Sequence, residues 1–239
     1  MADTISTVTT EQRGRVLLVT MDDGKVNALS TQTIADIRRA VEHAEETDGI
    51  GAVVLTGRDG KFCAGFDLGV MRGDDVQAMA NLVSDGGDLV ADLYGAKLPV
   101  VAACNGHALA AGALILLGCS VRIGADVPCK IGLNEVAIGM VLPEWAFTIA
   151  EERLSRRHVA RAIPLAEISD AHGAADAGYL DEVVPADQLL ETAVQRAEAL
   201  CDLHPKAYAL TVEKMRGELV QTMHNQANTD RLAGSTPNV

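Results

Sequence analysis

The run HALAAGALILLG (107–118) is apolar at almost every position. A helix that is hydrophobic all round has no face to offer water and must lie inside the molecule. This one is too short to span a bilayer, so the chain has to build a body around it. The flanking segments indicate what kind. LPVVAACNG (98–106) reads as a strand introduced by Pro99, and SVRIGA (120–125) reads as a second, short strand. Strand, buried helix and strand in succession point to a layered α/β fold.

The rest of the chain extends that alternation. GRVLLVTM (14–21) reads as a strand, followed by the turn chemistry of DDGKVNALS. From Thr31 the period becomes helical, with Ile34, Ile37 and Val41 on one face and Ser30 as the expected N-cap. AVVLTG (52–57) reads as a buried strand and RDGKFCAGFDLG (58–69) as a glycine-bearing loop. The segment 73–88, GDDVQAMANLVSDGGD, is weakly patterned and is expected to be mobile or loosely helical. Residues 144–161 suit one helix, with Trp145, Ile149 and Leu154 apolar. Strand signals stop near residue 185. Two helical stretches follow, 186–203 and 205–223, the second opened by Pro205, and the tail from 228 is expected to fray. The expected organisation is an α/β core over 1–185 and an α-helical C-terminal region over 186–239.

Charge and cysteine usage narrow the function. Asp and Glu total 33 against 20 Lys and Arg, a net charge of −13, which argues against a nucleic-acid or anionic-membrane partner. The five cysteines are odd in number and show no C-x-x-C spacing, as expected of free thiols in a reducing compartment. The first residues lack the apolar segment of a secretory signal, so a soluble, cytoplasmic protein is expected. There is no G-x-S-x-G, no P-loop motif, no G-x-G-x-x-G after a strand and no metal-ligand spacing among the six histidines. Serine hydrolases, P-loop NTPases, Rossmann oxidoreductases and simple zinc sites are set aside on those grounds.

Five stretches, in order, resemble the crotonase (enoyl-CoA hydratase/isomerase) superfamily. They are KVNALS (25–30), KFCAGFDL (61–68), PVVAACNGHALAAG (99–112), IGLNEVAIGMVLP (131–143) and GYLDEVVP (178–185). The resemblance implies a crotonase-like spiral of ββα turns with a helical C-terminal region, assembled as a homotrimer or a dimer of trimers. It implies an acyl-CoA ligand, with coenzyme A entering as part of the substrate and no further cofactor or metal.

It also implies a division of labour. A thioester gives up an α-proton only if the enolate oxygen is stabilised, and two N–H donors aimed at one point in a dry site do this. By resemblance those donors are the backbone N–H groups of Phe66 and Ala111, the second aided by the N-terminus of the apolar helix. Ala110-Ala111-Gly112 stands where many relatives have three glycines, and a backbone donor survives that change where φ is negative.

Hydratases of the family place two glutamates across the substrate. Here the first position holds Leu114 and the second Glu135. One carboxylate can take a proton from C2 and return it at C4, so the resemblance favours an enoyl-CoA isomerase. The string GLNE (132–135) is similar to mitochondrial-type Δ3,Δ2-enoyl-CoA isomerases. Beside Val136, Ile138 and Leu142, Glu135 is expected to have a raised pKa. An enoyl-CoA hydratase of fatty-acid β-oxidation and a catalytically silent acyl-CoA-binding homologue stay open as alternatives. So do decarboxylation and hydrolysis on the same enolate logic.

Glu144 is a candidate second acid, set against its plainer reading as a solvated charge at a helix start. His107 is expected to hydrogen-bond at the start of its helix, and Asp67 to order its loop. Substrate-binding positions implied by the motifs are Lys25, Val26, Ala28, Ala64, Gly65, Asp67, Leu68, Ala110, Leu114 and Ile138. Lys25, Arg58 and Lys61 are available to phosphates, and Val70, Met71, Met79 and Leu82 to an acyl-chain wall.

Overall fold

The computed structural model describes residues 7–233. The chain opens with β1 (Val8–Arg13), β2 (Val16–Met21), β3 (Ala28–Leu29) and α1 (Thr31–Glu46). Next come β4 (Ala52–Gly57), β5 (Gly60–Cys63), β6 (Gly65–Phe66), α2 (Leu68–Met71) and α3 (Val76–Tyr94). A third group is β7 (Val100–Cys104), β8 (Gly106–Leu109) and α4 (Ala111–Gly118). The chain continues through β9 (Val121–Asp126), β10 (Ile131–Gly132), α5 (Glu144–Arg153), α6 (Arg156–Ala162), α7 (Ala171–Ala177) and β11 (Glu182–Pro185). It ends with α8 (Leu189–Leu200) and α9 (Pro205–Ala233).

The strands sort into stacked layers. The large sheet runs β1-β2-β4-β7-β9-β11, a smaller one β10-β8-β5, and β3 pairs β6. Among the described strands only the β1–β2 pair is antiparallel; the other strand pairings are parallel. Each turn of chain therefore places one strand in the large sheet, a short one in a second layer, and then a helix. That is a ββα spiral.

The strands of the large sheet are apolar on both faces because both are covered. Side chains alternate across a strand. Leu17, Val19, Val53, Leu55, Val100 and Ala102 pack in the main core with the helices that follow the strands. Their neighbours Val16, Leu18, Val54, Val101, Ala103 and Ile123 pack with Leu189, Ala193 and Ala197 of α8. The all-apolar α4 is buried at every residue from Ala111 to Gly118, as its composition demands. Among the described residues no helix is long and apolar enough to cross a membrane.

Several expected boundaries move. Residues 106–109 are strand because β8 is hydrogen-bonded between β5 and β10, so the apolar helix starts at Ala111 and not at residue 107. The 58–69 loop contains β5 and β6. The expected helix over 144–161 breaks after Arg153, where the Ser155 N–H donates to Ala177 O at 2.9 Å. The weakly patterned 73–88 lies largely in a 19-residue helix, α3, capped by Asp75, whose carboxylate accepts from Ala78 N–H at 2.9 Å. Helix α9 runs to Ala233, ten residues past the expected end. The expectation of a frayed tail fails over 228–233 and otherwise lies outside the described residues.

Candidate active site

Three segments meet at one cavity. The first is the β5–β6 corner. Asn27 is buried, and its Nδ2 donates to Met21 O at 2.9 Å, Lys61 O at 3.0 Å and Phe62 O at 3.2 Å. These bonds tie the KVNALS turn to the corner, where Ala28 pairs with Gly65. Asp67 N–H donates to Leu29 O at 3.0 Å, so strand alternation turns the preceding N–H, that of Phe66, away from β3.

The second segment is the turn between β8 and α4. Ala111 is the first residue of α4, so its N–H has no acceptor within the helix. The two corners touch at Gly65, whose φ is +97°. A Cβ there would lie 3.1 Å from both Ala110 Cβ and Leu109 O, and 3.7 Å from Ala111 N. The same geometry explains which glycine of the expected triplet survives. A Cβ at Gly112 would stand 2.2 Å from Cys63 O, so this position alone has no room for alanine. The backbone strain falls on Ala110, with φ 50° and ψ −123°.

The third segment carries Glu135. Its carbonyl accepts from Ile138 N–H at 3.0 Å and Met140 N–H at 2.9 Å, which fixes the turn that follows. Ala110 N–H donates to Gly132 O at 3.0 Å and joins this segment to the α4 corner. The Glu135 side chain is 7% exposed. Burial pushes its pKa up to about 7, opposed only by a hydrogen bond from its own backbone. Among the described residues its Oε2 has no hydrogen-bond partner.

The cavity is about 190 Å³ and is lined by Ala64, Phe66, Leu68, Ala110, Leu114, Glu135 and Ile138, all named from sequence. It is also lined by Met71, which was expected in the acyl wall, and by Val83, but not by Val70, Met79 or Leu82. Among the described lining residues Glu135 is the one carboxylate. Other expected residues lie elsewhere. Lys25 and Val26 are exposed on a turn held by Asp23, and Asp67 caps α2 by accepting from Gly69 N–H at 2.7 Å. Arg58 pairs with Asp22 at 3.4 Å.

Glu144 is exposed at the start of α5, beside Asp230, Asn225 and Gln226 of α9 and outside the cavity lining, in keeping with its plainer reading as a solvated charge at a helix start. One expectation is corrected. His107 sits on β8, where its Nδ1 accepts from Lys130 N–H at 3.0 Å, and not at a helix start. Sequence reasoning missed Arg72, Asn134, Met140 and Trp145 in the cavity wall. Asn134 stands beside the singled-out glutamate, and Trp145 is the only tryptophan of an aromatic-poor chain. Both were signals available for use.

A sequence model of the family described as Enoyl-CoA hydratase/isomerase matches residues 11–237. The chain belongs to this family, part of the crotonase superfamily. The human protein named enoyl-CoA delta isomerase 1, mitochondrial, is 32% identical over 208 residues, covering 86% of this chain and 68% of that one. A probable mitochondrial enoyl-CoA hydratase of Dictyostelium discoideum is 30% identical over 94% of this chain and 80% of its own length. The crystal structure of an enoyl-CoA hydratase/isomerase family protein from Pseudomonas syringae superposes with a TM-score of 0.91 at 34% identity, covering 96% and 98% of the two chains. Relatives of this family member thus carry both names at similar distance, and the choice between them rests on the site.

Proposed function

We propose that this family member is an enoyl-CoA isomerase that moves a 3,4 double bond to the 2,3 position with Glu135 as its single proton carrier. The observation that carries this reading is the cavity itself, in which one buried carboxylate, Glu135, faces two backbone corners and Leu114 lines the wall, where the family's hydratases are expected to carry their first glutamate. The thioester oxygen accepts hydrogen bonds from the Phe66 and Ala111 N–H groups. Glu135 takes the proton from C2, the negative charge spreads over the dienolate, and the same carboxyl returns the proton to C4. No atom is gained or lost. A carboxyl with a pKa of about 7 suits both halves of that task near neutral pH. Hydration would need a second group to handle water, and the described cavity residues offer no second carboxylate.

The test compares 3-enoyl-CoA and 2-enoyl-CoA turnover in the wild type and Glu135→Gln. Isomerisation should fall by about 100- to 10,000-fold in the variant, with acyl-CoA binding retained. Hydration of 2-enoyl-CoA at a rate matching isomerisation would overturn the assignment. Acyl-CoA binding without any C2 proton exchange would instead mark a silent homologue.

A further inference from the structure

Two aromatic rings, of half-buried Phe66 and buried Trp145, line the cavity, and each is seated on a glycine of α3. A Cβ at Gly86 would stand 2.5 Å from Cε1 and Cζ of Phe66, and one at Gly87 would stand 2.9 Å from three ring atoms of Trp145. Both glycines lie in regular helix and neither has a positive φ. No turn requires them, and each is a weaker helix former than alanine. What the pair supplies is space for rings, in a chain with only three Phe and one Trp.

Burial grades the cavity from rim to floor. Leu68 (52%), Ile138 (54%) and Val141 (40%) are exposed at its mouth, whereas Val83, Leu114 and Trp145 are buried. The whole space is about 190 Å³. A cavity of about 150 Å³ in a folded protein holds a six-carbon ring, and pockets for drug-sized ligands begin near 300 Å³, roughly. The room beyond the reacting carbons is therefore small.

We propose that the Gly86–Phe66 and Gly87–Trp145 contacts set the depth of the acyl cavity, which selects acyl groups of about four to six carbons over longer ones. This rests on the acyl-CoA reading above, and its test is by binding so that it does not depend on turnover. Saturated butanoyl-, hexanoyl-, octanoyl-, decanoyl- and dodecanoyl-CoA are titrated calorimetrically against the wild type, Phe66→Ala and Gly86→Ala. Wild-type affinity should rise by about fourfold per methylene while the chain still enters the cavity, then level or fall beyond hexanoyl-CoA. Phe66→Ala should carry the rise to octanoyl- or decanoyl-CoA, and Gly86→Ala, which drives the Phe66 ring inward, should end it at butanoyl-CoA. If Phe66→Ala does not fold, Phe66→Leu carries the same direction of change. A wild-type rise that continues to dodecanoyl-CoA, or a profile that Phe66→Ala leaves unchanged, overturns the depth assignment alone. Failure of every acyl-CoA to bind better than free coenzyme A overturns the acyl-CoA reading and this inference with it.

Discussion

Glu135 shows how function opposes stability at a single side chain. Its carboxyl titrates near 7 in the fold against 4.5 for the free group, because burial disfavours the charge. Between those values the native state binds more protons than the unfolded chain, so stability falls as pH rises through this window, the reverse of a paired carboxylate. We expect Glu135→Gln to match the wild type near pH 4 and to exceed it at pH 8 by up to about 3 kcal/mol in urea unfolding. Equal pH dependence of the two proteins would contradict the burial argument. Ala110 carries strain of another kind. An L-residue at φ 50° and ψ −123° is held against its preference, so Ala110→Gly should stabilise the fold by about 1 kcal/mol, read from the denaturation midpoint. A destabilised variant would mean that its methyl contacts outweigh the backbone strain.

Between elements, the α3–α9 contact is held by charge as well as packing. His224 lies between Asp88 at 2.8 Å and Asp92 at 3.2 Å. Arg231 also pairs with Asp88, at 2.7 Å, and Arg38 with Asp92, at 2.6 Å. The hydrogen bonds to Asp88 and then Asp92 raise the His224 pKa to about 9 from 6.5. A raised histidine stabilises fully below its unfolded value and loses that contribution as pH climbs through the folded one. His224→Gln should therefore cost on the order of 1 kcal/mol at pH 6, after solvent screening, and little at pH 10. Faster amide exchange in α9 at the lower pH would check it, and exchange unchanged at both would contradict it. Helix α3 is also where the sequence was least legible. Its Gly86–Gly87 pair lowers helix propensity, and only the distant rings of Phe66 and Trp145 explain the pair. The apolar strands and α1 with its Ser30 cap were legible because their periods and caps are local. The site was legible as far as motif residues reach. Arg72 and Trp145 enter its wall through tertiary contact, and Glu144 lies against α9 instead.

At the scale of the molecule, the spiral leaves an apolar groove on its outside, formed by Val136, Val141, Phe147, Val159 and Ile163. Leu165 is 71% exposed. We propose that these surfaces meet in the homotrimer or dimer of trimers that the family resemblance implies. Light scattering should give about three or six times the 25.1 kDa chain mass, and a monomer at micromolar concentration would contradict it. The spiral also brings the KFCAGFDL, GHALAAG and GLNE segments, far apart in the chain, to one cavity with one acid. A single carboxyl that both removes and returns the proton is tested most directly by isomerisation of a 3-enoyl-CoA carrying deuterium at C2, with the label at C4 read by mass spectrometry. A one-carboxyl shuttle predicts that a substantial share of deuterium moves from C2 to C4 within the same molecule. Complete replacement by solvent hydrogen, with none of the label at C4, would contradict it and require a second acid or a water relay.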